Sequence, residues 1–553
     1  MLKNYFKIAV RSVLKNQVFS LINVMGLAVG MAACVLIMQY VQTEFSYDQF
    51  HAKKSDIYRL QQNRYDKGEL STQWAAGCAG VGPALKESLP EVIEQVKMHG
   101  SNAVLANGDI SFREERTYYA SEAFFEIFSY NLIEGVDSLV LKEPYKVVLS
   151  ESTAKKYFKE ENPMGKTLNL NGRWDFEVTG IFEDVPENTH MKFDVLFSFE
   201  TYVDLVSENA RTAWQWDGFY TYIMLEPGTD PKELESKIPA IVEQYAGEEL
   251  KQFDAGQEFL LQSLSDIHLY SDYMMEFEAN GDGDATYFLA IIAVFIMIIA
   301  WINYINLATA KSLDRAREVG VRKVMGSFKS QLVKQFLMES FLLNAIAVVL
   351  ALGIVLVALP YFNTLSGKTL TFALISTPEF WLTLTVLFIL GGFLSGLYPA
   401  FVLSGFKPVS VLKGKFRASD KGNMLRKGLV IFQFFASVFL MVGTFTVYKQ
   451  ITYMRSQDLG VDIAKTLVLR SPNVTDSTYQ SKYDAFKQHI GQYANVEFVS
   501  ASTAVPGRQP DWNAGGIRRV HQDESYSKQY RIVGGDYDFV EAYQLEMAVG
   551  RTF

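Results

Sequence analysis

VFSLINVMGLAVGMAACVLIMQYV, residues 18–41, holds no charged side chain over 24 residues. The h-region of a cleaved signal is about 7–15 residues long, so this run is too long for one. At about 1.5 Å rise per residue, its length crosses a hydrocarbon core of roughly 30 Å. It reads as a retained membrane anchor. Around it, the chain has 553 residues, 49% of them hydrophobic, with a net charge of −9. That composition joins membrane and water-exposed parts in one polypeptide, and it offers no basic excess for nucleic acid. The two cysteines, Cys34 in the anchor and Cys78 in a polar region, form neither a disulfide framework nor a zinc-binding spacing.

Four further runs have spanning length: 287–310, 335–359, 380–403 and 428–448. Three of them carry no charge, and the run 335–359 contains Glu339. The predicted fold class is an α-helical membrane protein with α+β extracytoplasmic domains and five transmembrane helices. Orientation follows from basic residues in short flanks. Segment 1–17 has Lys3, Lys7, Arg11 and Lys15 and no acid. Segment 311–334 has seven Lys/Arg against Asp314 and Glu318, and 404–427 has seven against Asp420. The connector 360–379 has only Lys368 and Glu379. If the spans alternate, all three basic flanks share one side, the cytoplasm. The N-terminus is then cytoplasmic, and 42–286, 360–379 and 449–553 lie outside. Within 1–17, Phe6, Val10, Val13 and Leu14 recur at helical spacing opposite the lysines. This predicts an amphipathic helix on the inner membrane surface, against the simpler reading of a charged anchor flank.

The outer segment 42–286 alternates strand and helix signals. Strands are predicted at 145–150, 167–170, 176–183, 193–199 and 220–226. A helix starts at a Ser cap over 150–158, and another starts at Asp230-Pro231 over 230–246. Strand 220–226, helix 230–246 and strand 258–264 read as a β-α-β unit. Nothing here resembles a cofactor fingerprint, and no cofactor, metal or catalytic residue is assigned. His51, His99, His190 and His268 are scattered, and Asp266 with His268 reads as a solvated loop pair. Glu183, Asp184 and Glu187 read as a solvated acidic turn. The chain also restarts. A basic flank leads into span 428–448 as the first did into 18–41, and FEIFSYNLIEG (125–135) resembles FVEAYQLEMAVG (539–550). Segment 449–553 is therefore expected to begin a second, incomplete outer domain, with three further spans beyond it.

REVGVRKVMGSFKSQLVKQF, residues 317–336, joins the second and third spans. Its apolar residues Val321, Val324, Met325, Phe328, Leu332 and Phe336 repeat every three or four positions. Gly320 and Gly326 each cost a helix interior roughly 1 kcal/mol against alanine. The expectation is a short helix near 314–325 and a bend near Gly326-Ser327. A plain positive flank explains the charges but not this stripe.

The order of a basic amphipathic start, one span, a large outer domain and three spans resembles the FtsX-like permease family of ABC transporters. The likeness is to its MacB-type branch, in the double-module form found in Bacteroidota. FSYDQFHAKKSDIYRL (45–60), VVLSESTAKKYFKEENPMGKTL (147–168), INLATAKSLDRAREVGVRKVMGS (305–327) and YPAFVLSGFKPVSVLKG (398–414) carry the likeness. The resemblance implies that 42–286 is a MacB-like periplasmic core domain and that the chain sits in the bacterial inner membrane. It implies a non-catalytic permease subunit that works with a cytoplasmic ABC ATPase and pairs as a homodimer or pseudo-symmetric dimer. It implies ATP-driven motion passed to the outer domains, for efflux of a peptide, lipoprotein or drug. A periplasmic adaptor or outer-membrane partner would fit that scheme. The alternative is an FtsX-like regulator that switches an outer partner such as a cell-wall hydrolase. The ATPase-coupling residues would be Arg317, Glu318, Gly320, Arg322, Lys323 and Gly326, and those at the membrane surface Lys3, Lys7, Arg11 and Lys15. The string NPMGKTL (162–168) ends like a P-loop, but position 160 is Glu where the motif needs Gly, so ATP hydrolysis is expected in a separate subunit.

Overall fold

The computed structural model describes residues 2–552 apart from 312–318, 372–377, 405–419, 459, 473, 509–512 and 524–525. The chain divides into two compact units, Met1–Ser46 with Gly281–Met454, and Tyr47–Asn280 with Arg455–Phe553.

The first unit is helical. A short α1 (Leu2–Lys15) precedes α2 (Gln17–Phe45). The unit continues with α9 (Gly283–Ala310), α10 (Lys329–Ser366), α11 (Pro378–Ser404) and α12 (Asp420–Ser456). Among the described residues, five helices are long and apolar enough to cross a membrane, within α2, α9, α10, α11 and α12. They run past the apolar stretches at several ends. The third covers Lys329–Ser366 rather than 335–359, because its polar first turns are held by side chains described below. Inside lipid, helices gain little from apolar burial and associate through close packing of small residues. Ala28 on α2, Ala293 on α9 and Ala347 on α10 are fully buried. A Cβ on Gly30 would lie 2.8 Å from Ala300 Cβ, so α2 and α9 are nearly in backbone contact. Gly392 and Gly396 of α11 do the same against α10, where a Cβ would meet the Phe341 ring at 2.4 Å and Ser340 Oγ at 2.9 Å. Buried Asn344 donates to Ser395 Oγ across the same seam at 3.1 Å. Helix α12 touches α9 through Asn306 and Gln433 (3.3 Å) and a Phe295–Phe432 stack. Phe434, Phe435, Met441 and Phe445 on α12 are exposed.

The second unit is built on a mixed sheet. Its first part holds β1 (Ile57–Asp66), β2 (Glu69–Trp74), β3 (Gly77–Cys78), α3 (Val81–Ser88), β4 (Val92–Asn107), β5 (Ile110–Ala120), α4 (Phe124–Ile127) and β6 (Leu132–Glu134). Then come β7 (Lys146–Ser150), α5 (Glu151–Phe158), β8 (Thr167–Leu170), β9 (Trp174–Phe182), β10 (Val195–Ser198) and α6 (Phe199–Leu205). It closes with β11 (Asp217–Leu225), α7 (Pro231–Gln252), β12 (Ala255–Ser263) and α8 (Ile267–Tyr270). The strand order is β12-β1-β11-β4-β5-β10-β7-β9-β6, with β2, β3 and β8 attached to β1, β11 and β4/β9. Pairs β5–β10 and β7–β9 are parallel and the other pairs antiparallel.

The predicted caps are formed. Ser150 accepts from Thr153 N at the start of α5, and Asp230 from Lys232 N before Pro231 at α7. The β-α-β reading of 220–264 needs a correction. Strands β11 and β12 are not neighbours, because β1 lies between them and is antiparallel to both. The unit is a split one, and its missing strand comes from 150 residues earlier in the chain. β1 gave no alternating apolar signal because its buried side chains include Arg59, Gln61, Gln62 and Asn63. Arg59 Nη2 donates to Gln262 Oε1 (2.7 Å) and Glu276 Oε1 (2.8 Å), which makes that burial tolerable.

The proposed restart has a local structural counterpart. Helix α4 and α14 (Phe539–Ala542) are each four residues long and align without a gap, Phe124 on Phe539 and Glu126 on Glu541. Phe124 N donates to Ser121 O, and Phe539 N to Asp536 O, both at 3.1 Å. Gly135 and Gly550, at matching positions, both have positive φ, 117° and 99°. Helix α13 (Tyr479–Ile490) and the hairpin of β13 (Asn513–Ile517) and β14 (Lys528–Arg531) come before α14. The order matches that of α3, β4, β5 and α4.

Candidate functional site

Helix α1 and the connector before α10, which carry the two sets of residues singled out in the sequence, both reach the first turns of α10, through Ser12 and Arg322. Helix α1 turns Lys3, Lys7, Arg11 and Lys15 outward in one exposed row, as their four-residue spacing requires. Its inward side combines Ala9 and Ser12 with Val13, which packs on the apolar core of the helical unit. Ala9 is buried, and Ser12 Oγ donates to Glu339 Oε1 on α10 at 2.9 Å. Phe6 and Leu14 stay exposed, so the apolar residues of α1 do not all face one way. The end of α9 joins in, where Lys311 Nζ donates to Asn16 Oδ1 at 2.6 Å and lies over the Phe19 ring.

One turn before Glu339 on α10, Gln335 accepts from Arg322 Nη1. Residues 319–324 are helical, and the chain then turns through Gly326, whose φ is +96°. Glycine adopts that conformation without a steric cost, which accounts for this residue at the bend. Ser327 N donates to Arg322 O at 3.0 Å and closes the turn. Phe328 N then donates to Gln331 Oε1 at 3.1 Å as α10 begins. The stripe seen in the sequence is therefore divided. Val319 packs inward with Leu332, Phe336 and Ala400. Val321, Val324, Met325 and Phe328 stand exposed, Met325 at 81% and Phe328 at 72%. A single helix would have placed Leu332 and Phe336 on the same face as these four; the turn at Gly326 separates them. Gly320 is buried beside Val319, and Lys329 and Lys334 are exposed on the first turns of α10. Arg317 and Glu318 lie outside the described residues. Arg322 is thus tied to Gln335 and Ser12 to Glu339, both on α10. In the sequence Glu339 stood out as the one acid inside the apolar run, whereas Gln335 gave no signal.

A second buried polar cluster follows the end of α2 within the outer unit. Asp48 has φ of +58° and no exposed surface. It accepts from Thr189 Oγ1 (2.6 Å) and His190 Nδ1 (2.8 Å), and His190 Nε2 faces Tyr222 Oη at 2.8 Å. Burial opposes ionisation of Asp48, but the adjacent His190 ring and its hydrogen bonds outweigh it and hold the carboxyl below its usual value. His51, 3.9 Å from Asp48, is pushed down to about 4, chiefly by burial. His268 is buried and stacks on Tyr47 with ring centres 3.4 Å apart, so it is not the solvated loop residue expected. Glu183, Asp184 and Glu187 are exposed as expected. Sequence spacing could not reveal this cluster, since its members come from three distant segments.

Residues 20–241 match the family model of the MacB-like periplasmic core domain, and 290–408 match that of the FtsX-like permease C-terminal region. The macrolide export ATP-binding/permease protein MacB of Aggregatibacter actinomycetemcomitans is 24% identical over 252 residues, 44% of this chain and 35% of the relative. Its namesake in Neisseria gonorrhoeae is 21% identical over 361 residues, 63% of this chain and 52% of the relative. The chain thus spans about a third to a half of the length of these relatives. A crystal structure of a domain from a permease protein of Porphyromonas gingivalis is 20% identical, covers 38% of this chain and 91% of its own, and has a TM-score of 0.35. With both family models matched in chain order around apolar spanning helices, the chain belongs to the FtsX-like, MacB-type permeases of the inner membrane.

Proposed function

We propose that this chain is the membrane subunit of an ABC-type export complex in which a separate ATPase drives motion of the outer domain. The observation that carries this reading is the exposed ridge of Val321, Val324, Met325 and Phe328, followed by exposed Lys329 and Lys334 on the first turns of α10. An apolar patch rimmed by charge marks a partner surface. Arg322 is bonded to Gln335, and Val319 is packed on Leu332 and Phe336, so a push on the ridge reaches α10 directly. Arg317, Glu318, Gly320, Arg322, Lys323 and Gly326 form the coupling element, and the ridge supplies its contact area. The basic row of α1 rests on anionic lipid of the inner leaflet, with the N-terminus cytoplasmic. Segment 42–286 is the first outer domain and 449–553 part of a second. The relatives named as macrolide exporters favour extrusion of a drug; a peptide or lipoprotein cargo, and work as a dimer, are part of the same proposal.

The test is co-purification of a cytoplasmic ATP-binding subunit with this chain from its source membrane. Met325→Asp with Phe328→Asp is expected to cut ATPase recovery at least tenfold while the permease still enters the membrane. Unchanged recovery would overturn the coupling assignment.

A further inference from the structure

A cavity of about 300 Å³ lies inside the helical unit between the last turns of α2 and the first turns of α11. Val35 and Phe45 of α2 and Phe380, Leu384 and Leu387 of α11 supply apolar walls. Gln42 and Thr383, both exposed, also line it, so the space is open to the outside of the bundle. Gln39 also lines it, 4% exposed, and its Oε1 has no hydrogen-bond partner among the described residues. A buried acceptor left unmade costs about 1–3 kcal/mol, so the site is incomplete as it stands.

We propose that this cavity takes an acyl chain of a lipid whose head region offers an N–H or O–H donor to Gln39 Oε1. Four observations carry it. Both walls belong to spanning helices, so the surrounding medium is lipid. The volume is at the small end of ligand sites and suits a chain segment rather than a bulky drug. Gln39 lies about 9 Å below the end of α2 at Phe45, on the usual helical rise, near the depth at which a lipid changes from head to tail. The nearby charges are already matched, since Glu44 pairs with Lys368 at 2.6 Å, so recognition falls to the neutral amide. The ligand is either a bilayer lipid or an acylated cargo molecule, and both share this chemistry.

The full chain in nanodiscs, containing phospholipids with a photoactivatable acyl chain, tests the proposal by peptide mapping of the adducts. A phosphatidylethanolamine probe, which has an N–H donor, is expected to label 35–45 and 380–387 at least fivefold more per residue than the exposed face of α12. A phosphatidylcholine probe, which lacks a donor, should label them several-fold less. Gln39→Leu should erase that preference, and Leu384→Trp should remove the label while Leu384→Met retains it. An N-acyl peptide probe that competes with the phospholipid identifies acylated cargo; failure to compete identifies bilayer lipid. Labelling equal to that of α12, or unaltered by Leu384→Trp, overturns the site. A phosphatidylethanolamine preference that survives Gln39→Leu overturns the role of Gln39. Crosslinks from these helices to a second copy of the chain overturn the lipid as occupant. Loss of ATPase docking leaves every one of these readings in place, so the two proposals fail separately.

Discussion

Single side chains in this protein are consequential where charge is buried. Asp48 combines a left-handed backbone with full burial and three side-chain neighbours, Thr189, His190 and His51. Removing one member of a buried charged set costs about 3–5 kcal/mol. Asp48→Ala is expected to lose stability on that scale in thermal unfolding of the purified protein. Asp48→Asn should lose less, because Asn also accepts the left-handed conformation. The pH dependence follows from the signs. The unfolded chain protonates His51 near its ordinary value of 6.5, while the folded chain resists until about 4. Stability from this group is therefore whole above about 6.5, falls as pH drops, and levels off below 4. Asp48, with its carboxyl held low, adds a loss at more acid pH still, as pH falls through its folded value. The melting temperature of the protein should drop between pH 7 and 4.5, and His51→Gln should flatten that drop.

Among the elements, close helix contact was the feature least visible beforehand. The glycines of α11 occur in an uncharged apolar run and read simply as part of a span. In the structure Gly392 faces the Phe341 ring so closely that any Cβ must displace it. Overpacking of this kind costs about 1–3 kcal/mol. Gly392→Val should lower the unfolding midpoint in detergent, and Gly353→Ala, which meets open space, should not. The connector before α10 shows the complementary case. Its bend was legible because Gly326 punctuates an amphipathic pattern, and glycine is the residue that takes positive φ freely. Which apolar residues ended up inside was not legible. Once the turn reverses the chain, helical periodicity no longer fixes a common face. Val319 therefore turns inward and Met325 outward. The strands of 57–120 were missed for another reason. Their buried polar side chains satisfy one another in pairs such as Arg59 with Gln262, so the alternation of apolar and polar is absent.

For the whole chain, the testable quantity is which way it threads the membrane. The native thiols will interfere little with labelling, since both cysteines are buried, and burial pushes the Cys78 thiol up to about 12. Cysteines introduced at Lys7 or Lys323 should react in intact cells only with a membrane-permeant reagent. One at the exposed Lys155 should react with an impermeant reagent as well. The reverse pattern would overturn the orientation drawn from the basic flanks.

By itself, the sequence determined the five apolar spans and the helix caps at Ser150 and Asp230. Each of these is a local property: a run long enough to cross lipid, or a side chain reaching an amide two or three residues on. Tertiary structure alone decided that β1 inserts between β11 and β12, and that Asp48, His51, His190 and Tyr222 share one buried cluster. It also decided that Ser12 and Arg322 both bind the first turns of α10, at Glu339 and Gln335. Most of these arrangements depend on contacts between residues more than a hundred positions apart, such as Ser12 with Glu339 and Asp48 with His190. No periodicity encodes such contacts, because they arise from burying polar groups only where distant partners complete their hydrogen bonds.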